Sequence, residues 1–150
     1  MKKILIISDS HGSKTKIDWL KENEEFDYLF FLGDGIKDLE DYQMDSKIVA
    51  VAGNCDIFST ETKQRVVAIE NARILLTHGH LYKAKLTTGI MINEAVKIGL
   101  NIVCFGHTHS KCYETIDGIT LLNPGSLANG DYAILWLENG KIINYIAKNL

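Results

Sequence analysis

The sequence predicts a four-layer α/β/β/α sandwich, and three observations carry that expectation. The first half alternates continuous apolar runs with helix-compatible stretches at intervals of about twenty residues, the grammar of βαβ units whose parallel strands are buried on both faces. The second half carries shorter strands, with the tight-turn pairs Asp117-Gly118 and Asn139-Gly140 at two of its joints. Polar residues gather just after the apolar runs, where open α/β sheets bind their ligands. A parallel first half and an antiparallel second half then imply two sheets packed face to face with helices outside.

The elements follow in order. Residues 2–8 (KKILIIS) form a first buried strand, and residues 15–25 a helix-compatible stretch with apolar Ile17, Trp19 and Leu20. Residues 27–32 (DYLFFL) and 47–52 (KIVAVA) are the second and third strands, with a short helix over 37–44 between them. Residues 66–69 and 73–77 flank Glu70-Asn71-Ala72 and read as a hairpin. A helix is expected over 85–100, ended near Gly99, followed by a buried strand over 101–105 (NIVCF). Strands at 112–116, 119–122, 132–137 and 142–147 complete the chain.

The gross numbers exclude several classes. At 150 residues the chain reads as a single domain over 1–150, long enough to bury a real core. Net charge is −3, the only arginines are Arg65 and Arg73, and no dense basic tract exists. A long nucleic acid or an anionic membrane is therefore not the expected partner. The opening MKKILIISDSHG meets Asp9 too soon for a signal peptide, and no apolar stretch has the length of a membrane span. Cys55, Cys104 and Cys112 are odd in number and form no CxxC, so a reducing cytoplasm is expected.

The polar clusters carry the chemistry. They are Asp9-Ser10-His11-Gly12, Gly33-Asp34-Gly35, Gly53-Asn54, His78-Gly79-His80 and Gly106-His107-Thr108-His109. All five histidines lie in such clusters, a sorting that scattered core or surface histidines would not show. Asp-x-His and His-x-His after a strand put alternate side chains on one side, so both members of a pair can face a common site. The imidazole and carboxylate donors suit Mn, Ni, Fe, Zn or Co, and differ from a thiolate-rich structural zinc site. Seven ligands (Asp9, His11, Asp34, Asn54, His78, His107 and His109) exceed the needs of one tetrahedral ion and match two divalent transition-metal ions sharing a carboxylate. Asp34, alone in its cluster and flanked by glycines, is the natural bridge. One ion takes Asp9, His11, Asp34 and His109; the other takes Asp34, Asn54, His78 and His107. His80 is expected next to the metals or facing substrate. Catalytic roles fall to Asp34, Asn54 and His80.

These motifs resemble the calcineurin-like metallophosphoesterases, whose pattern runs D-x-H, G-D, G-N-x-[DE], H-G-H and G-H-x-H. Here it stands as Asp9-Ser10-His11, Gly33-Asp34, Gly53-Asn54-Cys55-Asp56, His78-Gly79-His80 and Gly106-His107-Thr108-His109. Leu122-Asn123-Pro124-Gly125-Ser126 extends the likeness to the small YfcE-like phosphodiesterases. The resemblance implies the α/β/β/α metallophosphoesterase fold, a dinuclear site with Mn or Ni foremost, and hydrolysis of a small phosphodiester by a hydroxide bridging two ions. Many relatives carry a general-acid histidine where Cys55 stands, and the small subgroup commonly lacks it. Small relatives often associate, so a homo-oligomer is a further expectation. The alternative is a non-catalytic scaffold, since a retromer subunit shares this fold with parts of its metal site altered, whereas all seven positions here carry competent donors. Other hydrolases fit less well. No HxHxDH motif exists because Ser110-Lys111 follows His109, an amidohydrolase barrel needs more chain, and a Cys55 nucleophile would lack a free base histidine.

Overall fold

The computed structural model describes all 150 residues. Its ten strands form two five-stranded mixed sheets. The first sheet is ordered β10-β9-β1-β2-β3, with β1 Lys2–Ile7, β2 Tyr28–Phe31, β3 Ile48–Ala50, β9 Asp131–Glu138 and β10 Lys141–Asn149. The second is ordered β4-β5-β6-β8-β7, with β4 Gln64–Ile69, β5 Ala72–Thr77, β6 Ile102–Cys104, β7 Cys112–Ile116 and β8 Ile119–Asn123.

Strand periodicity builds the layers. In β1, Ile4 and Ile6 point between the sheets and meet Ile74, Leu76 and Leu122, while Leu5 and Ile7 point outward onto Ile17 and Leu20 of helix α1 (Lys14–Asn23). In β5 the same alternation sends Leu75 outward to Met91, Ile92 and Ala95 of helix α2 (Gly89–Ile98). A fully buried aliphatic side chain is worth ~1.5–3 kcal/mol, so strands buried on both faces hold four layers together. Neither helix is long and apolar enough to cross a membrane.

Three expectations need correction. The second half is not simply antiparallel: β5, β6 and β8 pair in parallel, and β9 and β10 return to the first sheet as antiparallel neighbours of β1. The stretch expected as a short helix over 37–44 is a 3-10 helix, Ile36–Tyr42, drawn inward at buried Asp38. Helix α2 begins at Gly89 rather than at residue 85, because the chain after His80 is spent on turns. Lys83 lies in the left-handed region (φ 55°), its carbonyl accepts from the amides of Leu86 and Thr87, and Thr87 Oγ1 then accepts from Gly89 N at 3.0 Å. The expected stop at Gly99 is observed, with φ 74° and its amide bonded back to Ala95 and Val96.

This topology decides where chemistry can occur. β1, β2 and β3 are parallel, as are β5 and β6, and the loops beyond their carboxyl ends carry all five polar clusters.

Candidate metal centre

Five of the donors sit in left-handed turns. Asp9, His11, Asp34, His107 and His109 all have positive φ, between 44° and 69°. Left-handed backbone costs a residue with a Cβ about 1–2 kcal/mol, and Asp, Asn and His are the types most often found there. Two glycines make room. A Cβ on Gly53 would lie 2.1 Å from Asp34 Oδ1, and one on Gly106 would lie 2.0 Å from Ser8 Oγ and 2.6 Å from Asp9 Oδ2.

Both carboxylates have one oxygen tied to the protein and one turned toward imidazoles. Asp9 Oδ2 accepts from Ser8 Oγ at 2.5 Å and from the amide of His107 at 3.1 Å. Its Oδ1 faces His109 Nε2 at 3.1 Å, His11 Nε2 at 3.6 Å and His78 Nε2 at 3.8 Å. Asp34 Oδ1 accepts from the Cys55 amide at 2.8 Å, and Oδ2 faces His78 Nε2 at 3.2 Å and His11 Nε2 at 3.8 Å. Asp9 and Asp34 are buried, and no lysine or arginine pairs with either. Burial works against the Asp34 carboxylate, yet His78 and the Cys55 amide outweigh it and hold its carboxyl well below the usual range. Burial likewise opposes charge on His78, but Asp34 and Asp9 raise it above the usual imidazole value.

The imidazoles are oriented as well. His78 Nδ1 lies 2.7 Å from the Leu32 carbonyl, which can only accept, so Nδ1 carries a proton and Nε2 is the nitrogen turned to the centre, with a lone pair to offer a metal ion when the ring is neutral. His107 Nδ1 lies 3.2 Å from that Nε2. Asp9, His11 and His109 each offer one atom within 4.8 Å of the others, and so do Asp34, His78 and His107. Paired buried carboxylates, facing imidazole nitrogens and lacking a lysine or arginine partner, form a donor set that suits divalent metal ions.

Six of the seven ligand candidates are therefore brought together. The seventh, Asn54, sits on the adjoining turn with an exposed side chain; its Nδ2 donates to Cys55 Sγ at 3.7 Å and its Oδ1 accepts no hydrogen bond. His80 lies beside the clusters, with ring centroids 5.6 Å from His78 and 6.2 Å from His107, and its buried Nδ1 has no partner. Burial, His78 and Lys63 push its pKa down, which favours the neutral imidazole. Cys55 is closer than a bystander: its Sγ falls within 4.8 Å of donor atoms of His11 and Asp34. Burial and Asp34 raise its pKa, so the thiol stays protonated.

Several supporting residues hold these donors in place, most of them within the quoted motifs. Asp56 accepts from four amides, those of Gly53 and Asp34 at 2.8 Å, Gly35 at 2.9 Å and Ile36 at 3.0 Å. Asp38 Oδ2 accepts from Ser10 Oγ at 2.6 Å and Gly12 N at 2.9 Å. Asn123 Nδ2 donates to the Gly106 carbonyl and to Thr108 Oγ1, and Ser126 Oγ donates to the Asp9 carbonyl at 2.9 Å. The 122–126 motif thus braces two of the metal loops. Asp38 carries no local signal, because its partners lie 26 and 28 residues away.

Comparison with known proteins agrees with this geometry. Residues 1–139 match the model of the calcineurin-like phosphoesterase superfamily domain. A probable metallophosphoesterase, YsnB of Bacillus subtilis, is 33% identical over 91% of the chain and 85% of its own length. Phosphodiesterase YfcE of Escherichia coli is 26% identical over 99% of the chain and 94% of its own. The structure of Vps29 complexed with zinc, from Entamoeba histolytica, superposes with a TM-score of 0.76 at 18% identity, covering 99% of this chain and 98% of that one, a likeness of fold. The chain belongs to the calcineurin-like phosphoesterase superfamily.

Proposed function

We propose that the chain is a phosphodiesterase that hydrolyses a small phosphodiester with two divalent transition-metal ions, Mn or Ni foremost. The observation that carries this reading is the pair of buried carboxylates, Asp9 and Asp34, whose only ion-pair partners are imidazoles. Asp9, His11 and His109 would hold one ion; His78, His107 and the nearby Asn54 would hold the other. Asp34 serves both, since Oδ2 faces His78 on one side and His11 on the other. When bound, such ions supply Lewis-acid charge to a phosphoryl group and bring the pKa of water down toward ~7.

The remaining roles belong to the chain itself. Asp56 and the Cys55 amide fix Asp34, while Ser8 and the His107 amide fix Asp9, so the two carboxylates are held in place before any ion binds. His80, a neutral imidazole packed beside both clusters, is the group to contact substrate. The protonated thiol of Cys55 makes neither a nucleophile nor a strong acid. Two carboxylates and one hydroxide set against two divalent ions would leave a balance of about +1, and no arginine or lysine adds to it by pairing with the carboxylates. That balance matches a diester monoanion better than a monoester dianion. Three free cysteines are in keeping with the cytoplasm.

The test is hydrolysis of bis(p-nitrophenyl) phosphate against p-nitrophenyl phosphate across Mn²⁺, Ni²⁺, Zn²⁺ and Mg²⁺. The diester is expected to show a kcat/KM at least about tenfold higher, and a chelator is expected to remove the activity. Monoester preference would overturn the substrate assignment. No turnover of either ester by metal-loaded protein would leave the scaffold reading.

A further inference from the structure

A groove of about 970 Å³ opens along the β3 edge of the first sheet, between the 3-10 helix Ile36–Tyr42 and the loop that follows Cys55. Its volume lies in the range of small-molecule sites. Cys55 lines it, and the same thiol lies within 4.8 Å of donor atoms of His11 and Asp34, so the groove adjoins the candidate metal centre at that residue. The loop wall carries Ile57 and Phe58, which are 78% and 95% exposed. The other phenylalanines are buried or partly covered, so this aromatic ring stands apart. Apolar surface left open beside a reaction centre marks a surface that something covers.

The charges of the groove limit the occupant. Four acidic side chains, Glu40, Asp45, Asp56 and Glu61, face only two cationic ones, Lys37 and Arg65. Arg65 is engaged by Glu61 and by the Ala50 carbonyl, Asp45 by Lys21, and Asp56 by its four amides. A second phosphate or another anion finds no free arginine there and meets an acidic excess. An uncharged flat ring is suited to the apolar wall. We infer that this groove receives an uncharged aromatic substituent of the phosphodiester, a nucleobase or an aryl group, with Phe58 and Ile57 as specificity-determining residues. The inference rests on the phosphodiesterase reading and sharpens it: the substrate carries a neutral ring on one ester arm.

The test uses metal-loaded protein and two diesters with the same p-nitrophenolate leaving group, one carrying a thymidine arm and the other a methyl arm. The wild type is expected to favour the thymidine ester, and Phe58→Ser to lower the ratio of the two kcat/KM values about tenfold. Ile57→Ser moves the ratio the same way. Met44→Ser, exposed and outside the groove, leaves it unchanged. Turnover of both esters with an unchanged ratio in Phe58→Ser overturns the inference and leaves the phosphodiesterase reading standing. So does an unchanged ratio joined to loss of a dimer in sedimentation, which assigns the patch to a second copy. If neither ester is turned over, the phosphodiesterase reading fails, and an NMR titration with an unreactive thymidine phosphonate decides the groove. Shifts at Ile57 and Phe58 support it, and their absence overturns it.

Discussion

Asp34→Asn is expected to remove hydrolysis almost completely while leaving the chain folded. The carboxamide keeps the shape of the carboxylate, and its oxygen can still accept from the Cys55 amide at the Oδ1 position. The other position then presents an NH₂ group to His78 and His11, where a negative oxygen stood 3.2 and 3.8 Å from their Nε2 atoms. The centre loses one of its two buried negative charges and the oxygen that faces both imidazole sets. Even changes to residues that only orient a metal ligand cost about 10–100-fold in metal affinity, so loss of the shared ligand is expected to cost at least ~100-fold. Activity is expected to fall by ~10³-fold or more, because Lewis-acid charge and hydroxide supply are lost together. Steady-state kinetics over a metal titration reads both effects. Retention of near-normal kcat at saturating metal would show that Asp34 is not shared between the ions.

Asp56→Ala is expected to destabilise the fold and disable the site together. Beside Asp34, whose Oδ1 accepts from the Cys55 amide, the Asp56 carboxylate ties the loop after β3 to the loop after β2 through the amides of Asp34, Gly35 and Ile36, and it holds the amide of Gly53 in its own loop. Alanine leaves four part-buried N–H groups seeking partners. Charged hydrogen bonds are worth ~1.5–3 kcal/mol each but do not add, so a loss of about 3–5 kcal/mol is expected. Chemical denaturation measures it. Activity falls as well, because Asp34 sits in a left-handed conformation (φ 62°) that its bonded amide helps to fix. Asp56→Asn keeps one accepting oxygen and is expected to fall between alanine and wild type. A cost under about 1 kcal/mol for Asp56→Ala would mean water replaces the carboxylate.

How far the sequence revealed these features depended on whether the physical cause was local. Two-sided burial is local: the run Ile4-Leu5-Ile6-Ile7 announces a strand with partners on both faces, and both are present. Turn chemistry is also local, and Asp117-Gly118 and Asn139-Gly140 close their hairpins with positive φ at both positions of each pair. Strand pairing across long separations is not. β7 and β8 form the hairpin their turn predicts, yet this leaves β8 running parallel to β6, which no local pattern records. The helix boundary at Gly89 was hidden for a related reason: residues 85–88 permit a helix, but the turns seeded by Lys83 consume them. At the centre, residue type and position after a strand were enough to single out Asp9, His11, Asp34, His78, His107 and His109, whose side chains the fold brings together. The bracing by Asp38 and Asn123 depends on loops meeting in space, and the four-amide role of Asp56 shows only once β2 and β3 are side by side.

Cys55, which by type is the most nucleophilic residue near the centre, stands instead between the donors His11 and Asp34 and the groove, while the histidines are gathered around Asp9 and Asp34.

The proposed dinuclear centre is tested most directly by counting metal ions in protein loaded with Mn²⁺ or Zn²⁺ and locating them by anomalous diffraction. Two ions per chain are expected, one among Asp9, His11 and His109 and the other among His78, His107 and Asn54, with Asp34 between them. A single ion, or a second ion bound away from Asp34, would refute the shared-carboxylate arrangement on which the proposed chemistry rests.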